Sequence, residues 1–560
     1  MGHEHSETEG VSRRDLLKSG AVLGAAAALV GPAGTAAAAQ STGPSGSSGE
    51  DDLVLVNGAI HTMDGRGTVV KSITVRDGRI VSLGNASGNG GARTINLRGR
   101  TVVPGIIDNH NHIVLMGNRP GFHTPLENAN SIAEVQATLT GRAAGVPPGQ
   151  FITTIGGFSD NQFAESRLPN LQELDEALPE HPVYISLSFA GPSTTNSLGK
   201  AWFEARGVPV GADGSIAGGF GVSPTGQATF ALRSDLLTPE TRRRGAKDAM
   251  AYGASLGVTT HLDQGAFQAA GNASDGAASE DNYTMHQPFL ELYRTDELGT
   301  RLRINFLHRD ADPSIPTLKE RIKNQFPFFG NEMVKTGGIG EFIALSTSSE
   351  PGSAFVEAAK HIAENGWRAE VHSLSRTDFL TEIEAFELAN AAHDITDLRW
   401  VIAHVPFITE DAVNRLKAMG GGLSLTSWRY LSGTSTNNGP PFRMIVDNGI
   451  NVGMSSDGMQ IAPMNPWLHM YYATTGINSA GVLINDGQQI TREEVLRLYT
   501  ADNGWFLGEE SDLGSLEVGK LGDLVVLDRD YFSVSDEELK EISSVLTLVG
   551  GRVVHDAGVL

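Results

Sequence analysis

Pro104-Gly-Ile-Ile-Asp-Asn-His-Asn-His112 joins a short apolar run to two histidines spaced two residues apart. Side chains alternate across a β-strand, so a strand ending here turns His110 and His112 to the same side. A lone His-x-His pattern is common in buried cores, and what sets this one apart is the rest of the chain. Similar apolar runs recur at 257–263, 302–307, 333–335, 368–372, 400–404, 422–426 and 450–454. Several stretches between them, such as 355–363 and 411–419, carry the 3.6-residue spacing of amphipathic helices. With Ile106-Ile107 counted first, the strand-then-helix units number eight, which predicts an α/β chain built as a TIM (β/α)8 barrel. Lys335, His372, His404 and Asp457 each stand at or just past the end of one of these runs. In such a barrel the C-terminal rim is where catalytic groups gather.

Outside the barrel pattern the texture changes. Residues 52–104 are short β-rich runs broken by Asn57-Gly58 and Asp77-Gly78 turns, and the same pattern returns only in 510–560, around 523–528 and 545–554. The two ends are therefore expected to form one small β-sandwich, with 105–509 inserted into it as the barrel. The excursion from about 118 to 240 is too long for a loop and reads as a cap over the barrel mouth. At the start, Ser12-Arg13-Arg14-Asp15-Leu16-Leu17-Lys18 precedes an apolar run over 20–30 and Ala36-Ala37-Ala38-Ala39. This has the form of a twin-arginine signal peptide over 1–39, followed by a flexible linker over 40–51. The apolar run is broken by Gly31-Pro32 and falls short of the ~20 residues a span requires. Export to the periplasm or beyond is expected, with no stable membrane span in the mature form.

Composition narrows the chemistry. The 560 residues carry 65 acids against 42 Lys and Arg, a formal charge of -23, and such a field repels nucleic-acid backbones. The expected partners are a small-molecule substrate and the twin-arginine export machinery, with a homo-oligomer left open. There is no cysteine, which removes disulfides, thiolate zinc sites and cysteine nucleophiles together. A metal must then be held by imidazoles and carboxylates, donors that suit zinc, or less often manganese, iron or nickel. The candidate ligands are His110, His112, Lys335, His372, His404 and Asp457. A lysine amine can add carbon dioxide to give a bridging carbamate. With Lys335 carbamylated, His110, His112 and Asp457 would hold one ion and His372 and His404 a second. With Lys335 unmodified, a single ion would sit on His110, His112 and Asp457.

Four segments together resemble the amidohydrolase superfamily: 104–112, Ile402-Ala403-His404, Ser455-Ser-Asp-Gly458 with Pro463-Met-Asn-Pro-Trp467, and Gly514-Ser-Leu-Glu-Val-Gly-Lys-Leu-Gly-Asp-Leu-Val-Val-Leu-Asp528. More narrowly they are similar to the amidohydrolase 3 branch that contains N-substituted formamide deformylase. The resemblance implies metal-dependent hydrolysis of carbon–nitrogen bonds other than peptide bonds. One departure stands out. Members often continue the lysine strand with Asp-Gly, whereas this chain has Thr336-Gly-Gly-Ile-Gly-Glu341. Glu341 reads as a solvated loop acid, though it could supply a missing carboxylate.

The expected reaction is attack of a metal-bound hydroxide on the carbonyl of an amide or cyclic amide. Asp457 would relay the proton, and His404 or His261 would steady the oxyanion. Trp428, Arg429 and Tyr430 are the expected substrate contacts, with Arg429 suited to a substrate carboxylate. The alternatives are a lactonase or phosphotriesterase on the same site, or an exported binding protein without catalysis. Arg13→Lys combined with Arg14→Lys should leave precursor in the cytoplasm, measured by fractionation; undiminished export would discard the twin-arginine reading.

Overall fold

The computed structural model describes residues 52–85, 92–219, 222–265 and 280–560. The expected signal peptide and linker, 1–51, lie outside the described residues. All eight short apolar runs are strands, each with parallel neighbours. Ile106–Asn111, Val258–Asp263, Arg301–Phe306 and Val334–Ile339 form one four-stranded sheet in that spatial order. Glu370–Ser373, Val401–His404, Gly422–Thr426 and Asn451–Ser455 form a second. The strands are short, apolar and buried along most of their length, as parallel strands covered on both faces should be.

Backbone hydrogen bonds join these sheets at both ends. Ile339 bridges Ala369 in parallel sense, its N–H donating to Arg368 O at 2.9 Å. At the other end Asp457 N donates to His110 O at 2.9 Å and His112 N to Gly458 O at 2.8 Å. Helices such as Ala354–Glu364, Arg376–Ala392 and Glu410–Ala418 connect successive strands, the first two opened by Ser353 and Ser375 side chains that accept from the first turn. Their apolar faces share a continuous core with the strands, centred on Phe355, Trp367, Phe386 and Trp400.

One boundary differs from the sequence expectation, with a consequence for the site. The fourth strand runs Val334–Ile339, so Lys335 opens it where 333–335 was expected to close it. Thr336-Gly-Gly-Ile looks like a loop because glycine is scarce in strands. Here the glycines let neighbours approach. A Cβ on Gly337 would lie 2.4 Å from Asn305 Oδ1, and one on Gly338 2.6 Å from Arg368 O.

Both chain ends contribute strands to one eight-stranded sheet. Thr101–Pro104 lies between Leu53–His61 and Leu524–Leu527, and Ser544–Val549 and Arg552–Asp556 extend the sheet beyond. The β-sandwich expected of these segments is represented by this one hydrogen-bonded strand order. The excursion after residue 118 contains its own five-stranded sheet, with Ile152–Ile155 and Val183–Ser186 paired at its centre. It touches the loop after Asp457. Arg119 Nη2 donates to Met459 O at 3.0 Å, and Gly156 packs so closely that an added Cβ would meet Gln460 O at 2.1 Å. No helix among the described residues is long and apolar enough to cross a membrane.

A buried ion pair fastens the terminal sheet to the third parallel strand. Arg301 meets Asp523 through two bonds, Nε to Oδ2 at 2.7 Å and Nη2 to Oδ1 at 2.8 Å, with both side chains almost wholly covered. Asp523→Ala strands the guanidinium and should cost about 3–5 kcal/mol in urea unfolding. Glu541→Ala, at the exposed pair with Arg529, should cost less than about 1 kcal/mol. Equal losses would refute the assignment of Asp523 as the fastening.

Candidate metal centre

The C-terminal ends of five parallel strands deliver six side chains to one point. His110 belongs to the first strand and His112 follows it, facing the same way through the two-residue period. Glu341 follows the fourth strand, His372 and His404 close the fifth and sixth, and Asp457 follows the eighth. Glu341 lies between the histidines. Its Oε1 is 3.3 Å from His112 Nε2, and its Oε2 is 2.8 Å from His372 Nδ1, 3.5 Å from His110 Nε2 and 3.6 Å from His404 Nε2. Asp457 Oδ1 sits 3.3 Å from His112 Nε2 and 3.7 Å from His110 Nε2.

Most of these separations are too long for good hydrogen bonds. They match the donor spacing around a small cation: metal–nitrogen distances of ~2.0–2.1 Å in a tetrahedral set put donors about 3.3 Å apart. His110 Nε2, fully buried, makes no hydrogen bond. Three overlapping triads could each hold an ion: His110, His112 and Glu341; His110, His404 and Asp457; Glu341, His372 and His404. The donor set fits a divalent metal.

The surroundings aim these donors inward. His110 Nδ1 bonds Glu370 Oε1 at 2.5 Å, and Glu370 in turn accepts from Arg368 at 2.6 Å, so Nε2 is the nitrogen that faces the cluster. His404 Nδ1 lies 3.0 Å from Thr426 Oγ1, which likewise leaves Nε2 inward. Trp428 Nε1 donates to Asp457 Oδ2 at 2.6 Å and leaves Oδ1 for the cluster, while its ring lies 4.5 Å from the His404 ring. His404 and Asp457 adopt left-handed φ angles of 73° and 53°, strained for residues with a side chain and typical of functional sites.

Electrostatics point the same way. Burial opposes a charge on His110, but Glu370 and Glu341 outweigh it and hold its imidazolium up to about 10. His112 is likewise raised by Asp457 and Glu341 against burial. The nearby imidazoles overcome burial at Glu341 and Asp457 and keep both carboxylates ionised. Burial pushes His404 down to about 4, so its lone pair stays available. Two ionised carboxylates in a dry pocket call for positive charge, which protons supply here and a cation would supply better.

Five of the six expected ligands thus meet, and Lys335 does not. It opens its strand at the opposite end of the sheet, and its Nζ is bonded to Glu509, which also accepts from Arg303 at 2.7 Å. Glu341, read from sequence as a solvated loop acid, is 2% exposed and at the centre. The cue that marked it was an acid just past a β-like run, and the Gly-Gly pair hid that cue. Glu370 and Arg368 carried no signal at all. His261 turns away from the cluster: its Nδ1 meets Asn111 Nδ2 at 2.9 Å, and its ring packs where a Cβ on Gly253 of the helix Pro239–Ser255 would be 3.0 Å away. Trp428 reaches the cluster through Asp457. Arg429 is half-buried with its guanidinium over Phe407, and Tyr430 is buried against Tyr471.

Known proteins are similar to this chain in sequence and in fold. The chain is 24% identical to N-substituted formamide deformylase of Arthrobacter pascens, over 90% of this chain and 98% of that one. It is 22% identical to the putative amidohydrolase YtcJ of Bacillus subtilis, over 89% and 98%. Among solved structures, an uncharacterized metal-dependent hydrolase from Pyrococcus furiosus superposes with a TM-score of 0.57 at 18% identity, covering 86% of this chain and all of that one. Atrazine chlorohydrolase TrzN of Arthrobacter aurescens TC1, complexed with zinc, gives 0.54 at 16% identity, over 90% and 95%. Residues 10–30 match the twin-arginine translocation pathway signal sequence, which addresses the chain for export. Residues 93–555 match the model of the amidohydrolase family, a span that takes in the first parallel strand, the last, and every side chain of the cluster, and the chain belongs to that family.

Proposed function

We propose that the mature protein is an exported hydrolase of carbon–nitrogen bonds in amides or cyclic amides, and that its two parallel sheets close as a (β/α)8 barrel with the 118–240 region as cap. Supporting the closure are the Ile339–Ala369 bridge at one seam and the Asp457–His110 bond at the other. The observation that carries the functional reading is Glu341, whose two oxygens face His112 on one side and His372 on the other. A carboxylate in that position does what a carbamylated lysine was expected to do. Relatives named for formamide and imidazolonepropionate chemistry fit the same reaction class.

His110, His112, Glu341 and Asp457 would hold one divalent ion, and Glu341, His372 and His404 have the donors for a second. Zinc is the expected metal, and when bound it polarises a substrate carbonyl and lowers the pKa of water toward ~7. The protein's own part is proton transfer and orientation. Asp457 Oδ1 accepts the proton of the attacking water and returns it to the departing nitrogen, so an amide and water become an acid and an amine. Trp428 holds Oδ2 still while Oδ1 works. Arg429, over Phe407, lies beyond the seventh strand at the rim, where it can take a substrate carboxylate.

The test joins metal content with turnover. Zinc-loaded protein should hydrolyse some of a panel of N-formyl amines, N-acyl amino acids and hydantoins, and spare lactones. Glu341→Gln should lose bound metal and at least about 100-fold in kcat/KM. Glu370→Gln, which acts through His110, should weaken metal affinity by about 10–100-fold. Lys335→Ala should keep both metal and turnover. Turnover of lactones alone, or full metal in Glu341→Gln, would overturn the reading.

A further inference from the structure

A cavity of about 220 Å3 opens between the start of the 118–240 region and the helix Pro239–Ser255. None of the six cluster residues lines it. Its polar wall is Arg119, His123, Arg142 and Asp248, and its apolar wall includes Met116 and Ala249. The charges do not balance. Asp248 is taken by Arg142 at 2.6 Å. Arg119 is 7% exposed, and no ion pair among the described residues includes it. Its Nη2 donates to Met459 O at 3.0 Å, while its Nε has no partner. Tyr252, also on the wall, spends its hydroxyl on Glu127. Burial and the neighbouring Arg119 and Arg142 push His123 down to about 3, so it adds no charge. Among the described residues no carboxylate pairs with the Arg119 guanidinium: Glu280 acts on it only from a distance and is itself paired with Arg233 at 2.7 Å. Leaving the guanidinium so is costly unless a ligand completes it.

We propose that this cavity is a second binding site, for a small organic carboxylate with a short apolar body. The carboxylate meets the Arg119 guanidinium, a charge-assisted pairing that guanidinium favours. The body lies against Met116 and Ala249. A phosphate dianion suits the space less well, because Asp248 is on the wall and a single guanidinium is uncompensated. The volume, below the roughly 300–1,000 Å3 of drug-sized sites, sets an upper size near that of a substituted benzoate. The site also touches the cluster's frame. Arg119 holds the backbone of Met459, and His123 Nε2 lies 3.2 Å from its sulfur. Met459 is two residues past Asp457, so a bound acid would brace that loop.

The test is titration of benzoate into the zinc-loaded mature protein, read by calorimetry, and repeated after metal removal and in Asp457→Asn. Binding should survive both changes, since neither touches the cavity. Arg119→Met should weaken it at least tenfold, and Arg119→Lys less. Ala251→Trp, which fills the cavity from an exposed position with Arg119 intact, should weaken binding with an unchanged melting temperature, so the outcome does not rest on one buried substitution. Inorganic phosphate should compete poorly. Benzoate binding that disappears with the metal, or is unaltered in both Arg119→Met and Ala251→Trp, would overturn the proposal, as would displacement by phosphate at lower concentration than by a second carboxylate.

Discussion

Glu341 and Asp457 are two ionised carboxylates held a few ångströms from four imidazoles in a largely buried space. Like charges so close and so buried repel strongly, and they stay together because the imidazoles between them carry protons or would hold a cation. Every neighbouring feature serves that arrangement. Glu370 and Thr426 orient histidine rings, Trp428 pins one oxygen of Asp457, and the left-handed backbone at His404 and Asp457 is accepted so that both side chains converge. A site of this kind cannot tolerate strand ends that slide, and the hydrogen-bonded parallel sheets keep them in register.

Stiffness is supplied from the opposite end of the strands. Arg301 with Asp523, and Arg303 and Lys335 with Glu509, form buried or part-buried pairs that fasten the third and fourth strands to the C-terminal segment. Charged side chains there would be a liability singly. Paired, they lock which segment lies under which strand, an arrangement apolar contacts alone specify less sharply. Lys335 is part of this fastening, and its polarity answers Glu509.

The export signal and the buried cluster are consistent with each other. Twin-arginine transport carries folded cargo, and the ligands come from five strands spread over more than three hundred residues. Such a site cannot exist before the chain has folded. Export of a folded chain is compatible with a cluster that is already assembled.

Much of this was legible in the residues themselves. Eight apolar runs, the alternation that sets His110 beside His112, the strand-end positions of His372, His404 and Asp457, and the hairpins at both ends all follow from local periodicity and turn chemistry, which depend on a few neighbouring residues. What local pattern could not supply was the length of the fourth strand. Gly337 and Gly338 read as loop because glycine has no side chain to pack, yet they are strand because Asn305 and Arg368 press against them. That one misreading moved Lys335 toward the site and hid Glu341. The partners Glu370, Arg368 and Glu509 were invisible for a related reason: a carboxylate's role is decided by what faces it, and residues hundreds of positions apart meet only when the sheets have formed. The sequence by itself determined which groups could bind a metal; the tertiary structure decided which carboxylate they share, because only packing sets a distance between side chains from different strands.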